Sequence, residues 1–429
     1  MLKSITLLAS GIMEGLGRFL HDLRMMIEYH TIIPLIEGLV RVVLHFDPRV
    51  YSEGLRVRGV IEGNVPKKSN RFAILVLYSK TDLPGFTLNL IKAIGRSNLN
   101  LIIVSNAELE PLLKARLLDN SILLIERVNL GRDFGAYRDA LSVLLRQFKT
   151  VERLLLLNDS LFYFERGLDQ FIARLNGNQD FIGVTEVHEF RYHVQSFALS
   201  FGPRVINHKK FRKFWRRFRP INTRRWSIHK GEVGLTRLLT KAGFRPHILF
   251  EAAQLRPRLG ALPMREIVES LHLLPTFFRS NMYQEINTIL GEEDYPESIA
   301  AIEAISQGIR STGNSESNEV EFNALLNISK KAKAMERWSF DLIASKIVAT
   351  IAERNQIHVG GFLFMKYLGL PAFKRDIFYR NVYTLEDVHQ ILSEFGEPLI
   401  GEVLADLRRN GSAAHLNVFL KLLFRHGSI

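Results

Sequence analysis

Four short stretches hold the residue types that do chemistry. NLGRDFGAYRDAL (129–141) carries Asn129, Arg132 and Asp133, and RLLLLNDSLF (153–162) carries Asn158 and Asp159. YHVQSFALSF (192–201) carries His193 and Gln195, and HKGEVGL (229–235) carries Glu232. A loop with Gly and Arg that opens a helix suits a nucleotide or its phosphates, because free helix amides and a guanidinium both favour anions. A carboxylate after a buried strand can coordinate a hard divalent ion that also binds diphosphate oxygens. Each residue also has a plainer reading. Asp133 can cap the helix that begins near Phe134, and Asp159 can be a turn residue. His193 can be a hydrogen-bonded core side chain, and Glu232 a partner of a helix dipole. In one continuous strand, His193 and Gln195 at spacing two share a face and can reach one ligand. RDFG invites comparison with protein kinases, but no Gly-rich loop or HRD element precedes it, so that reading fails.

The elements that must position these residues follow from pattern. FAILVLY (72–78), LIIVS (101–105), ILLIE (122–126) and LLLL (154–157) are continuous apolar runs alternating with helical periods. Such runs indicate a parallel sheet covered on both faces. NLGRDFG and NDS both start just past a strand's carboxyl end, where doubly wound sheets bind ligands. FIGVT and SFALSF add two strand candidates. Residues 1–65 read as an N-terminal helical segment ending in polar EGNVPKKSN, and residues 66–262 as the sheet domain. A helical extension (263–310), a polar linker (311–321, holding STGNSESNE) and a helical C-terminal region (322–429) follow.

Composition narrows the classes. The 429 residues are 47% hydrophobic and contain no Cys, which removes disulfides, thiolate catalysis and Cys-ligated zinc and suits a reducing compartment. With 57 Lys and Arg against 44 Asp and Glu, the net charge of +13 favours anionic partners. No segment approaches the ~20 uninterrupted apolar residues needed to span a bilayer. Ile12, Leu16, Phe19, Leu20, Leu23 and Ile27 share one face of a helix, read first as packed on the domain and second as lying on a membrane. The tract KKFRKFWRRFRPINTRRWSIHK (209–230) reads first as a helix with Phe211, Phe214, Trp215 and Phe218 inward or as a membrane-facing element. Phosphate contact ranks next, and base stacking on nucleic acid last.

In order and spacing, these four stretches resemble the rhamnan synthesis protein F family of glycosyltransferases. NQIHVGG (355–361) and GLPAFKRDIFYRN (369–381) resemble its C-terminal signature, with Asn355, Gln356, Ile357 and His358 where Asn-Pro-Thr-His is expected. The resemblance implies an α/β fold: a GT-A-like, doubly wound, mostly parallel sheet with N-terminal helices and a helical C-terminal region. It implies transfer of a sugar, with rhamnose as the candidate, from a nucleotide-diphosphate donor to a glycan or lipid-linked glycan in cell-surface polysaccharide synthesis. NDS stands where related transferases carry an acidic DxD motif, which leaves Asp159 as the anionic group for a divalent metal, Mn²⁺ or Mg²⁺. Glu232 and Asp159 are then the catalytic candidates. Asn129, Arg132, Asp133, Asn158, His193 and Gln195 are the donor-binding candidates. The expected partners are the donor, the acceptor and an anionic membrane surface, with no nucleic acid. The expected location is cytoplasmic and peripheral on the inner face of the cell membrane. The rival reading is a non-catalytic sugar- or nucleotide-binding component of a polysaccharide assembly.

Overall fold

The structure is a computed structural model that describes residues 31, 33–189, 191–290, 337–378, 380 and 382–410. The amphipathic stretch from Ile12 to Ile27 and the linker at 311–321 lie outside the described residues. Twelve strands are described: β1 Val57–Glu62, β2 Arg71–Leu77, β3 Asn100–Ser105, β4 Leu123–Arg127, β5 Arg153–Asn158, β6 Leu161–Tyr163, β7 Phe181–Gly183, β8 Glu186–Val187, β9 His193–Val194, β10 Ala198–Phe201, β11 His247–Ile248 and β12 Ala372–Lys374. Eight of them form one sheet in the order β1-β4-β3-β2-β5-β10-β7-β11. The β2–β3, β2–β5, β3–β4 and β7–β11 pairs are parallel, and β1–β4, β5–β10 and β7–β10 are antiparallel. The expected mixed α/β architecture with a mostly parallel sheet is present.

The helices used below are α1 Ile33–His45, α2 Gly85–Arg96, α3 Pro111–Leu118, α4 Arg132–Gln147, α5 Lys209–Arg217, α6 Val233–Thr240, α7 Arg337–Ala352 and α8 Ile400–Asn410. Successive side chains on a strand point to opposite faces, and β2 shows how this divides the core. Ala73, Leu75 and Leu77 join a cluster with Phe86 and Leu90 of α2, Ile347 of α7 and Leu407 of α8. Phe72, Ile74 and Val76 join the opposite cluster with Phe134 and Tyr137 of α4, Trp215 of α5 and Leu235 of α6. Both faces are covered, so the central strands tolerate unbroken apolar runs. The order reverses between β2 and β5, the switch point beyond whose carboxyl ends such sheets form their ligand crevice.

Three local expectations give way. Residues 1–65 are not helical throughout, because β1 lies in them and pairs antiparallel with β4 at the sheet edge. Arg56, just before β1, is fully buried and clamps Asp139 of α4 through Nε (2.9 Å) and Nη2 (2.6 Å). Arg127 of β4 donates to the same carboxylate at 3.0 Å, so a buried Arg–Asp–Arg cluster ties the edge strand to α4. YHVQSFALSF is also two strands, β9 and β10, with a turn at Ser196–Phe197. Its Gln195 lies past the end of β9, so it does not share a strand face with His193. Glu232 does not open a helix either. It ends a wide π-helical turn, Ser227–Glu232, that runs straight into α6. Within that turn a Cβ on Gly231 would lie 2.7 Å from the Phe134 ring, so the turn packs against α4 only with glycine there.

The described C-terminal region returns to the sheet domain. Strand β12 pairs antiparallel with β6, setting Lys374 opposite Leu161. Phe373 anchors it, with its ring 4.9 Å from Phe162 and 4.8 Å from Phe362. Buried aromatic contacts of this kind hold a two-strand ribbon that is marginal on its own.

Candidate active site

The crevice between β2 and β5 is built from the ends of three strands. Asn158 closes β5, and its side-chain oxygen accepts from the Ser160 amide (3.1 Å) and hydroxyl (2.6 Å). That fixes the amide orientation, and Nδ2 donates to Asp133 Oδ2 at 2.8 Å. The Tyr78 hydroxyl, just past β2, donates to Asp133 Oδ1 at 2.7 Å. Asp133 is therefore a bridge across the crevice and not the expected N-cap. The cap position belongs to Gly131, which makes no side-chain cap bond. Gly131 (φ 81°) and Arg132 (φ 54°) both lie in the left-handed region. A Cβ at Gly131 would come within 2.4 Å of Pro220, so only glycine fits this turn.

Asp159 sits deeper than a cleft-facing residue, with 6% of its surface exposed. Its Oδ2 accepts from the Tyr78 amide at 3.0 Å, and its backbone carbonyl accepts from Arg375 Nη1 at 2.9 Å. Burial pushes its carboxyl pKa up to about 6. The Arg375 charge and the Tyr78 bond oppose that rise, and nearby Asp133 adds to it. Arg375 is itself clamped by Asp406 of α8, through Nε at 3.0 Å and Nη2 at 2.6 Å.

A second group forms around Glu232. Its Oε1 accepts from the Ser196 amide (3.1 Å) and hydroxyl (2.6 Å), and its Oε2 lies 3.5 Å from His193 Nε2. His193 Nδ1 is 2.7 Å from the Arg191 carbonyl, which can only accept, so Nδ1 carries a proton. Gln195 turns elsewhere, donating to Asn355 Oδ1 at 2.8 Å. The aromatic side of the basic tract is packed inward as expected: Phe211, Trp215 and Phe218 are buried, and Phe214 is partly so. Those rings are not available to stack on bases.

Lys374 joins the two groups. Its Nζ donates to the Ser160 hydroxyl at 3.2 Å and lies 5.0 Å from the centre of the Phe197 ring. Burial pushes its pKa down, while Asp376, Glu232 and Asp133 all favour the charged form. Asp376 accepts from His358 Nε2 at 2.8 Å, pairs with Arg380, and lies 4.0 Å from Arg224. Burial would raise the Asp376 pKa, but the His358 hydrogen bond and the Lys374 and Arg224 charges hold it well below the carboxylate range.

Among the described residues, no three His, Asp or Glu side chains gather in one cluster. Asp159 offers one carboxylate, already bonded by an amide and flanked by Arg375. A divalent ion held by Asp159 would take its remaining ligands from the donor diphosphate and water. Lys374 and Arg224, both partly exposed, suit an anion.

Of the residues expected from sequence, Asp133, Asn158 and Asp159 meet at the crevice, and His193 and Glu232 meet beside it. Asn129 stands apart: it is exposed and lines a hollow with Leu39, Val43 and Asn222. Tyr78, Ser196, His358, Lys374 and Asp376 were not among the expected site residues. For the last three a signal was present, since NQIHVGG and GLPAFKRDIFYRN already resembled a family signature.

An uncharacterized protein of Sinorhizobium fredii (strain NBRC 101917 / NGR234), y4gN, is 27% identical over 213 residues. The alignment takes in 48% of this chain and 55% of that protein, so the chain spans about half the length of the relative it matches. Residues 101–268, which hold Arg132, Asp133, Asn158, Asp159, His193, Gln195 and Glu232, match the sequence model of RgpF, rhamnan synthesis protein F, and the resemblance seen in the motifs is thereby borne out.

Proposed function

We propose that this chain is a glycosyltransferase of GT-A-like fold acting in cell-surface polysaccharide synthesis. It moves a sugar, with rhamnose as the candidate, from a nucleotide-diphosphate donor to a glycan or lipid-linked glycan. The family match supports a role in polysaccharide synthesis. The observation that carries the chemistry is the position of Lys374, a cation bonded to Ser160 within electrostatic reach of Asp133 and Glu232. Glu232 takes the proton of the acceptor hydroxyl. The acceptor oxygen bonds to the anomeric carbon as the bond from that carbon to the donor diphosphate breaks, and the electron pair leaves with the diphosphate. Lys374 and Arg224 offset the charge gathering there. Ser196, which donates from both its amide and its hydroxyl, holds Glu232 toward the acceptor, with His193 beside it. Asp133, Asn158 and Arg132 line the donor side, and Gln195 fastens Asn355 next to it. The reaction belongs on the cytoplasmic side, beside an anionic membrane surface.

The test is a thermal-shift screen of nucleotide diphosphates and nucleotide-sugars, followed by a transfer assay with the stabilising donor. A ligand of the native state raises stability by about 2.7 kcal/mol at a hundredfold excess over its dissociation constant. Stabilisation with turnover supports the proposal. Stabilisation without turnover assigns the chain to a non-catalytic binding role, and no stabilisation by any donor overturns the site.

A further inference from the structure

We infer that α1 and the exposed side of α5 together form a docking face for an anionic lipid bilayer. Leu35, Leu39, Val42, Val43 and Phe46 are between 60% and 79% exposed. Their spacing of four, three, one and three residues makes one stripe at helical period. A scattered exposed leucine needs no explanation, but a contiguous apolar stripe turned to solvent marks a partner. Tyr51 and Leu55, each about half exposed, extend the apolar surface past the end of the helix.

The basic tract adjoins this stripe. The Arg219 guanidinium lies 5.6 Å from the centre of the Tyr51 ring, and Asn222 Nδ2 donates to the Asn129 carbonyl at 3.2 Å. Leu39, Val43 and Asn222 line one hollow. Phe211 and Trp215 face the core, which leaves Lys209, Lys213, Arg216 and Arg217 exposed. Between Pro203 and Arg245 the chain has one acidic residue, Glu232. Insertion of an apolar ridge, flanked by cations that meet lipid phosphates, is the chemistry of an interfacial helix. A symmetric second copy is disfavoured, because pairing on the stripe would draw two like-charged α5 faces together. Pro220 packs against Gly131, so the face adjoins the loop that carries Arg132 and Asp133. This face deepens the membrane-side reading proposed above and rests on it, while flotation without donor reads it apart from glycosyl transfer.

The experiment is vesicle flotation without donor, using phosphatidylcholine alone or with about a third phosphatidylglycerol, at low and high salt. Wild type is expected to float with the anionic vesicles at low salt and release at high salt. Leu39→Asp/Val43→Asp and Arg216→Glu/Arg217→Glu are each expected to weaken that partition at least about tenfold, since one basic residue near the surface is worth about 1 kcal/mol. Both should keep the wild-type melting temperature. Equal binding to neutral vesicles, or wild-type flotation by either variant, would overturn the inference. An apolar variant that splits a dimer would assign the stripe to a second copy, and one that loses thermal stability would assign it to the chain's own packing. Either result would also overturn it.

Discussion

The Nζ of Lys374 lies 3.2 Å from the hydroxyl oxygen of Ser160, a residue 214 positions earlier in the chain. The contact exists because β12 pairs with β6 immediately after NDS. The C-terminal region therefore supplies a cation to a crevice that the central strands shape.

Lys374→Met tests that contribution. Methionine keeps an unbranched stem against Phe197 and removes the charge. Transfer should fall by about 10²–10³, the scale for losing one donor to developing negative charge, with melting temperature held or raised. Unchanged turnover would leave Lys374 as a packing residue. Steady-state kinetics beside a melting curve reads both.

Asp159→Asn should make the protein more stable at neutral pH. Burial raises the folded-state pKa from 3.8 to about 6, above its ordinary value. The carboxyl therefore costs nothing below about pH 4, where folded and unfolded chains both hold the proton. The cost grows as pH rises through 6 and reaches about 3 kcal/mol at pH 8. Asparagine keeps an oxygen for the Tyr78 amide, so the variant's advantage should open between pH 4 and 6 and persist above. Urea midpoints at pH 4 and pH 8 measure it. An advantage that instead grows toward low pH would contradict the assignment. Donor titration in chelator belongs with this variant: a metal-dependent affinity lost in Asp159→Asn would assign a divalent ion to the site.

Asp139→Asn should destabilise strongly, because Arg56 and Arg127 would stay buried beside each other without their shared carboxylate. Breaking a buried pair by removing one partner costs about 3–5 kcal/mol. A loss under about 1 kcal/mol on urea unfolding would show that water reaches the cluster.

The central strands were legible because their apolar runs are unbroken, as in FAILVLY and LLLL, and burial on both faces permits that. Strand β1 was not, since VRGVIE offers short alternation interrupted by Arg58 and Gly59. The motif words pointed to Asp133, Asn158 and Glu232, which lie at or beside the crevice, but not to their bonds. The depth of Asp159 depends on a backbone amide of β2's end, and no pattern in NDS reveals it. Lys374 and Asp376 reach the site through pairing across more than two hundred residues. Periodicity within a local window carries no information about such contacts. The basic tract shows the converse. Phe211 and Trp215 at helical spacing were enough to read the buried side of α5.

The most direct test of the central claim is transfer of labelled sugar from a nucleotide-sugar donor to a glycan acceptor by wild type and Glu232→Gln, with donor affinity measured on both. The glutamine keeps the Ser196 contact and cannot take the acceptor proton. The account predicts donor affinity within about threefold and transfer lower by about 10²–10⁴. Wild-type turnover in Glu232→Gln would contradict it.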